Sequence, residues 1–281
     1  MEIFSQIGPL RAFLEQKKLL GKSVGFVPTM GALHMGHQAL IRESLQENSI
    51  TVCSIYVNPT QFNSADDLSN YPRTLERDID ILNKTGCDAL FCPSNDEIYE
   101  ERSVITIHSG YLEHILEGTF RPGHFSGVAT VVAKLLNIVQ PARTYFGQKD
   151  FQQFKIVECL VKDLKFNTQL RCISTIREDD GLAMSSRNMR LSTEQRATAI
   201  IFYQSLRLAR RRLLEGLSMT SIKEEVKAYC ESNPGIQLEY LELVDTTNFM
   251  IQENVTADGI LLIAGYVGEI RLIDNLLVNE D

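Results

Sequence analysis

The sequence predicts an α/β protein: a Rossmann-like, doubly wound parallel sheet followed by a smaller C-terminal α+β domain carrying an antiparallel sheet. Three observations carry that expectation. Short apolar runs rich in Val, Ile and aromatic residues alternate with helical patterns through the first part of the chain. After about Ile176 the order changes to helices followed by consecutive strands. The 281 residues also exceed the usual size of one domain. The expected domains are 1–176 and 177–281.

The strand candidates of the first domain are Ser23–Val27, Ile50–Val57, Asp88–Pro93, Arg143–Gly147 and Leu170–Ile176, each short enough to be buried on both faces. Between them, Leu75, Ile79 and Leu82 recur at helical spacing, with Thr74 as N-cap and Gly86 just past the end. "GVATVVAKLLNIVQ" and "FQQFKIVECLVKDL" read as two further helices. In the second domain, Ser192 and Gln195 form a capping box before one long helix, "TEQRATAIIFYQSLRLARRRLLEG". "SIKEEVKAYCES" is a second helix and "NPG" a turn. "LEYLELV", "GILLIAGYV" and "IRLIDNLLV" follow as strands, the last two joined at Gly268-Glu269. The polar segment "REDDGLAMSSRNMRLS" at the start of this domain is long enough to line a cleft.

Composition narrows the functional classes. An apolar fraction of 44% and a charged fraction of 23% are those of a globular chain. The formal net charge of −8 argues against a nucleic-acid-binding surface, while small anionic ligands remain compatible with a local basic pocket. Six cysteines lie scattered without a C-x-x-C pair, mostly in apolar runs, which suits buried free thiols in a reducing compartment. The N-terminus lacks a signal-peptide pattern, and "GILLIAGYV" is too short to span a bilayer. The expectation is a cytoplasmic protein without a membrane partner.

In doubly wound sheets ligands bind beyond the carboxyl ends of strands, so the strand-to-helix loops are where chemistry is sought. "TMGALHMGH" (Thr29–His37) follows the first strand. Gly31 and Gly36 have P-loop spacing, but His37-Gln38 stands where Lys-Ser/Thr would be needed, and G-x-G-x-x-G is absent. A phosphate cradle at a helix N-terminus, a metal pair and a plain turn all remain open for His34 and His37, although no third ligand has suggestive spacing. "VNPTQF" follows the second strand and offers the amides of Asn58 and Gln61, or simply an Asn-Pro turn. "FGQKDFQQF" opens a helix after Arg143–Gly147, with Gln153 one turn on. Asp150 there is an ordinary capping residue, but Lys149 opposes the helix dipole, a conflict that an anionic ligand would relieve. "AMSSRN" (Ala183–Asn188) adds two hydroxyls and a guanidinium suited to phosphate oxygens, or forms a plain polar linker.

Taken together, "PTMGALHMGH", "VNPTQF", "YPRT" (Tyr71–Thr74), "RPGHFSGV" (Arg121–Val128), "FGQKDFQQ" and "DGLAMSSRN" (Asp180–Asn188) occur in an order and spacing that resembles the pantothenate synthetase (pantoate–β-alanine ligase) family. That family lies within the HxGH nucleotidyltransferases, related in fold to class I aminoacyl-tRNA synthetases. The resemblance covers essentially the whole chain. It implies a two-step ligation, in which pantoate attacks ATP to give an adenylate and β-alanine then displaces AMP. It further implies that ATP contacts Met30, Gly31, Ala32, Leu33, His34, Met35, Gly36, His37, Gly147, Gln148, Lys149, Asp150, Ile176, Met184, Ser185, Ser186 and Arg187. His37, His34 and Lys149 would be the catalytic groups, Gln61 and Gln153 would hold pantoate, and Arg121 and His124 would lie nearby. "AMSSR" would take the place of the synthetases' K-M-S-K-S loop, with Arg187 supplying the charge. Magnesium is expected with the ATP phosphates; its protein ligands are not readable, Asp78 and Asp80 being guesses. The resemblance also implies a homodimer and a second domain that closes over the site.

Overall fold

The computed structural model describes residues 1–100, 104–255 and 258–279. The chain divides into two compact units, Met1–Ser174 and Thr175–Asp281.

The first unit runs β1 (Glu2–Phe4), α1 (Ile7–Leu19), β2 (Val24–Thr29), α2 (Met35–Glu47), β3 (Ile50–Ile55), α3 (Ala65–Ser69), α4 (Leu75–Thr85), β4 (Ala89–Phe91), α5 (Asn95–Ile98), α6 (Glu117–Phe120), α7 (His124–Val139), β5 (Arg143–Gly147), α8 (Phe151–Asp163) and β6 (Gln169–Ile173). Its sheet has the order β1-β4-β3-β2-β5-β6, parallel throughout. Alternation along the strands feeds two cores. Phe26 packs with Leu10 and Leu14 of α1, Val128 and Leu135 of α7 and Val157 of α8, while Val27 packs with Ile41 of α2 and Leu82 of α4. Helices therefore cover both faces, as a doubly wound sheet requires.

The strand order reverses between β2 and β5. Successive strands run from β2 to β3 to β4 in one direction, whereas β5 and β6 add on the other side. The register Gly25↔Arg143 and Phe26↔Thr144 puts the carboxyl ends of β2 and β5 at one level. This switch point is where a crevice opens beyond the strands.

The second unit comprises α9 (Thr193–Thr198), α10 (Ile201–Leu214), α11 (Met219–Glu231), β7 (Ile236–Asp245), β8 (Ile251–Gln252), β9 (Gly259–Val267) and β10 (Ile270–Leu277). Its antiparallel sheet has the order β10-β9-β7-β8. The Gly268-Glu269 hairpin is present, with Ile270 paired to Val267 and Gly268 at φ +59°. Leu206, Leu213, Ile222 and Val226 of the helices pack on Leu243, Leu261 and Ile263 of the strands.

The structure departs from expectation at three points. The single long helix after Ser192 is two, interrupted at Ala199 and Ile200 (ψ −24° and −19°), in a stretch where the β-branched Thr198, Ile200 and Ile201 lower helix propensity. The capping box itself is present. β1 and β8 were not anticipated. Each is a short edge strand, three and two residues long, with too few positions to show a period. Thiol burial holds for Cys53, Cys87 and Cys230, but Cys92 is half-buried, and Cys159 and Cys172 are exposed on α8 and the edge strand β6. Among the described residues no helix is long and apolar enough to cross a membrane.

Candidate active site

The turn after β2 is held by bonds that converge from three elements. Gly31 (φ +80°) and Ala32 (φ +49°) are both left-handed, a costly conformation for a residue with a Cβ. The carboxylate of Asp78, on α4 and 1% exposed, accepts the Ala32 N–H (2.9 Å) on one oxygen and the Leu33 N–H (2.8 Å) on the other. Thr74 donates its hydroxyl to the same carboxylate at 3.1 Å. Thr29 donates to the Ser54 carbonyl (2.7 Å) and accepts the Gly31 N–H (3.2 Å). A Cβ on Gly31 would lie 3.1 Å from Asp78 Oδ2 and 3.0 Å from Ile55, so glycine is what lets the turn approach its anchor.

His34 and His37 cap α2 reciprocally. The Gly36 N–H donates to His34 Nδ1 (3.1 Å), and the His34 N–H donates to His37 Nδ1 (3.3 Å). The rings are half-buried, with centroids 4.0 Å apart. Burial and the charge of Lys149 push His34 down to about 4, with Asp150 opposing. Burial, His34 and Lys149 hold His37 well below the ordinary imidazole range. Both rings are therefore neutral at pH 7. Because each Nδ1 is an acceptor, each proton sits on Nε2, and the pair offers two neutral N–H donors. The sequence suggested groups that neutralise phosphate charge. The histidines instead supply dipoles, and the positive charge comes from Lys149.

Lys149 lies in a short 3-10 turn, Gln148–Asp150, between β5 and α8. Asp150 occupies the N-cap of α8 but makes no side-chain capping bond, contrary to the ordinary reading of an Asp there. Lys149 is close enough to both imidazoles to depress them, so the turns after β2 and β5 face one another electrostatically.

Beyond β3, Asn58 is 1% exposed and caps a 3-10 turn, Pro59–Gln61. Gln61 is buried, and its amide nitrogen is 3.0 Å from Met30 Sδ. His124, at the start of α7, donates through Nδ1 to the Gln61 carbonyl (2.7 Å), and Arg121 donates to its Nε2 at 3.0 Å. A Cβ on Gly127 would fall 2.5 Å from the Thr60 carbonyl, so α7 supports this turn backbone to backbone. The neighbours Gln152 and Gln153 differ sharply. Gln152 is buried and satisfied by Leu112, Ile115 and Glu117 backbone groups at 2.8, 2.9 and 3.1 Å. Gln153 is half-buried on the adjoining face of α8.

Ile176 and Met184–Arg187 belong to the second unit. There Met184 N–H bonds to the Ile176 carbonyl (3.0 Å), closing an excursion whose tip turns at Gly181 (φ +98°). Arg177 fixes it: its guanidinium donates to both Asp274 oxygens (2.7 and 3.0 Å) and to the Gly181 and Asn275 carbonyls, and lies 4.0 Å from the Tyr203 ring centroid. Ser185 Oγ then accepts the Arg187 N–H (3.3 Å), starting a 3-10 turn, Ser186–Arg190.

Asp78 is thus an anchor for the turn, with both oxygens occupied by backbone amides, and not the open magnesium ligand guessed from sequence. Among the described residues no three His, Cys, Asp or Glu side chains cluster as a metal site. Arg177 carries a structural duty that no motif announced, because its partner Asp274 is remote in sequence, whereas Asn58 caps the Asn-Pro turn that was one of its two sequence readings.

Comparison with known proteins agrees with this arrangement. A family model described as pantoate-beta-alanine ligase matches residues 2–277. The chain is 46% identical to the pantothenate synthetase of Aquifex aeolicus over 280 residues, 99% of each chain, and 40% identical to that of Carboxydothermus hydrogenoformans over the full length of both. Among solved structures it is similar to pantothenate synthetase from Thermus thermophilus (TM-score 0.93, 41% identity, all of both chains). It is also similar to pantoate-beta-alanine ligase from Francisella tularensis complexed with beta-gamma ATP and beta-alanine (TM-score 0.84, 36% identity, 100% and 99% covered). With turns after β2, β3 and β5 gathered at the sheet's switch point, the chain belongs to the pantoate-beta-alanine ligase family.

Proposed function

We propose that the chain condenses pantoate with β-alanine at the expense of ATP, through a pantoyl-adenylate, releasing pyrophosphate and AMP. The observation that carries this reading is the pair of neutral imidazole Nε2–H donors beside Lys149 at the switch point, next to a glutamine that can hold an acyl substrate. Pantoate's carboxylate is ionised at pH 7, its pKa being about 4, so its attack on the α-phosphorus needs no general base. It needs positioning and stabilisation of charge on the phosphates. His34, His37 and Lys149 serve the phosphates; His37 can also pass its Nε2 proton toward the departing pyrophosphate. Gln61 and Gln153 hold pantoate, Arg121 and His124 support Gln61, and Met184–Arg187 with Ile176 supply further ATP contacts. The β-alanine amine then attacks the acyl carbon, and AMP leaves.

Magnesium enters with the nucleotide as MgATP. A hard cation that keeps phosphate oxygens and water needs few protein ligands, which suits a site whose buried carboxylate is already used by amides. A homodimer in the cytoplasm completes the reading, by likeness to the family.

Isotope exchange between pyrophosphate and ATP, without β-alanine, tests it. Exchange should occur and require pantoate. Exchange supported only by a phosphorylated acceptor would replace this reading with that of a nucleotidyltransferase.

A further inference from the structure

Gln61 could present either end of its amide to a ligand, and a chain of bonds behind it decides which. Asn58 has all of its amide capacity engaged. Its Oδ1 accepts from the Thr60 hydroxyl (3.0 Å), the Thr60 N–H (3.4 Å) and the Tyr99 hydroxyl (3.1 Å). Its two Nδ2 hydrogens go to the Gly127 carbonyl (3.1 Å) and to Gln61 Oε1 (3.2 Å). Turning the Asn58 amide over would set Oδ1 against the Gly127 carbonyl and Nδ2 against two hydroxyls and an N–H, so its polarity is fixed. With Oε1 thus held, Gln61 turns Nε2 the other way, where its protein neighbour is the thioether of Met30, a weak acceptor.

Tyr99 lies just beyond α5, outside every motif named above, and is itself clamped. The Lys134 ammonium of α7 sits 4.9 Å from its ring centroid and donates to the Ile98 carbonyl at 3.0 Å. Burial raises the Tyr99 phenol above its ordinary value, so it stays a protonated donor throughout the working pH range.

We infer that Tyr99 is a positioning residue that, through Asn58, locks Gln61 as a hydrogen-bond donor, so that the site selects an acyl substrate presenting an acceptor oxygen, a carboxylate or hydroxyl. This inference rests on the function proposed above for its substrate. Its geometry is independent of that reading.

The test uses the full-length protein, with pyrophosphate–ATP exchange read at varied pantoate and varied ATP. Tyr99→Phe keeps the ring and its lysine contact and removes only the hydroxyl. It should raise the pantoate KM roughly three- to tenfold, the range for losing one hydrogen bond, with the ATP KM within about twofold of wild type. Asn58→Asp, which puts an acceptor where Gln61 Oε1 needs a donor, should raise the pantoate KM further than Tyr99→Phe does. Thermal unfolding of both variants separates misfolding from misorientation. A normal wild type with an unchanged pantoate KM in Tyr99→Phe overturns the assignment, as does an equal rise in both KM values. A wild type with no pantoate-dependent exchange overturns the functional reading, and with it the substrate named here.

Discussion

The turns after β2 and β5 stand at the same end of two paired strands, yet they are built in opposite ways. The first is tied down from every side: Asp78 holds two of its amides, Thr29 a third, and two histidines cap the helix it enters. The second carries an exposed Asp150 that caps nothing and a lysine set against a helix N-terminus. The first turn provides fixed, uncharged donors whose geometry is set before any ligand arrives. The second provides the full charge. Preorganised dipoles and one full positive charge together suit a phosphate chain that brings several negative charges into the site.

The largest test of this division is Lys149→Ala. Removing the charge should lower pantoate-dependent exchange by roughly 10²–10³-fold, the range for losing one electrostatic stabiliser, while the thermal midpoint stays near wild type. Near-normal exchange would end the phosphate role given to this residue. Asp78→Asn probes the other turn and should behave differently. An amide can accept from only one of the Ala32 and Leu33 N–H groups, so unfolding free energy should fall by about 1–3 kcal/mol in a urea titration, with a smaller loss of exchange rate. Unchanged stability would show that the turn does not depend on its anchor.

The smallest effect is on pH. His34 has a folded pKa of about 4, below the 6.5 of the free side chain, so the unfolded chain binds more protons between those values. Stability contributed by the cap is thus fully present above about pH 6.5 and is lost as pH falls toward 4, amounting to about 1–2 kcal/mol after allowing for solvent at a half-buried ring. His34→Asn, which keeps a capping acceptor without a titrating ring, should flatten that slope in denaturation curves at pH 7 and 4.5. An equal slope in both proteins would place the titration elsewhere.

Much of the fold is legible because buried strands announce themselves: Arg143–Gly147 of the parallel sheet and Gly259–Val267 of the antiparallel one have the bounds their apolar runs suggest. The strand-to-helix turns were findable for the same reason. What the sequence concealed were the atoms. Histidine is not an ordinary N-cap, so the reciprocal cap of His34 and His37, and hence the tautomer it imposes, has no signature in residue spacing. Asp78 lies 46 residues from the amide of Ala32 and Arg177 lies 97 from Asp274, separations that periodicity cannot bridge. Gln152 and Gln153 are indistinguishable as letters. Only the helical rotation of α8 assigns one to the interior and leaves the other on the adjoining face.

The switch point also dictates an order of events during synthesis. Gly25 pairs with Arg143, so once Gly25 has left the ribosome a further 143 − 25 = 118 residues must follow before β2 meets β5. Contacts so distant along the chain form slowly, and a growing chain folds from its N-terminal side. The histidine turn is therefore made early and waits, without its lysine, through most of the first unit's translation. A nascent chain arrested before β5 would carry the histidines and Gln61 but no assembled nucleotide site.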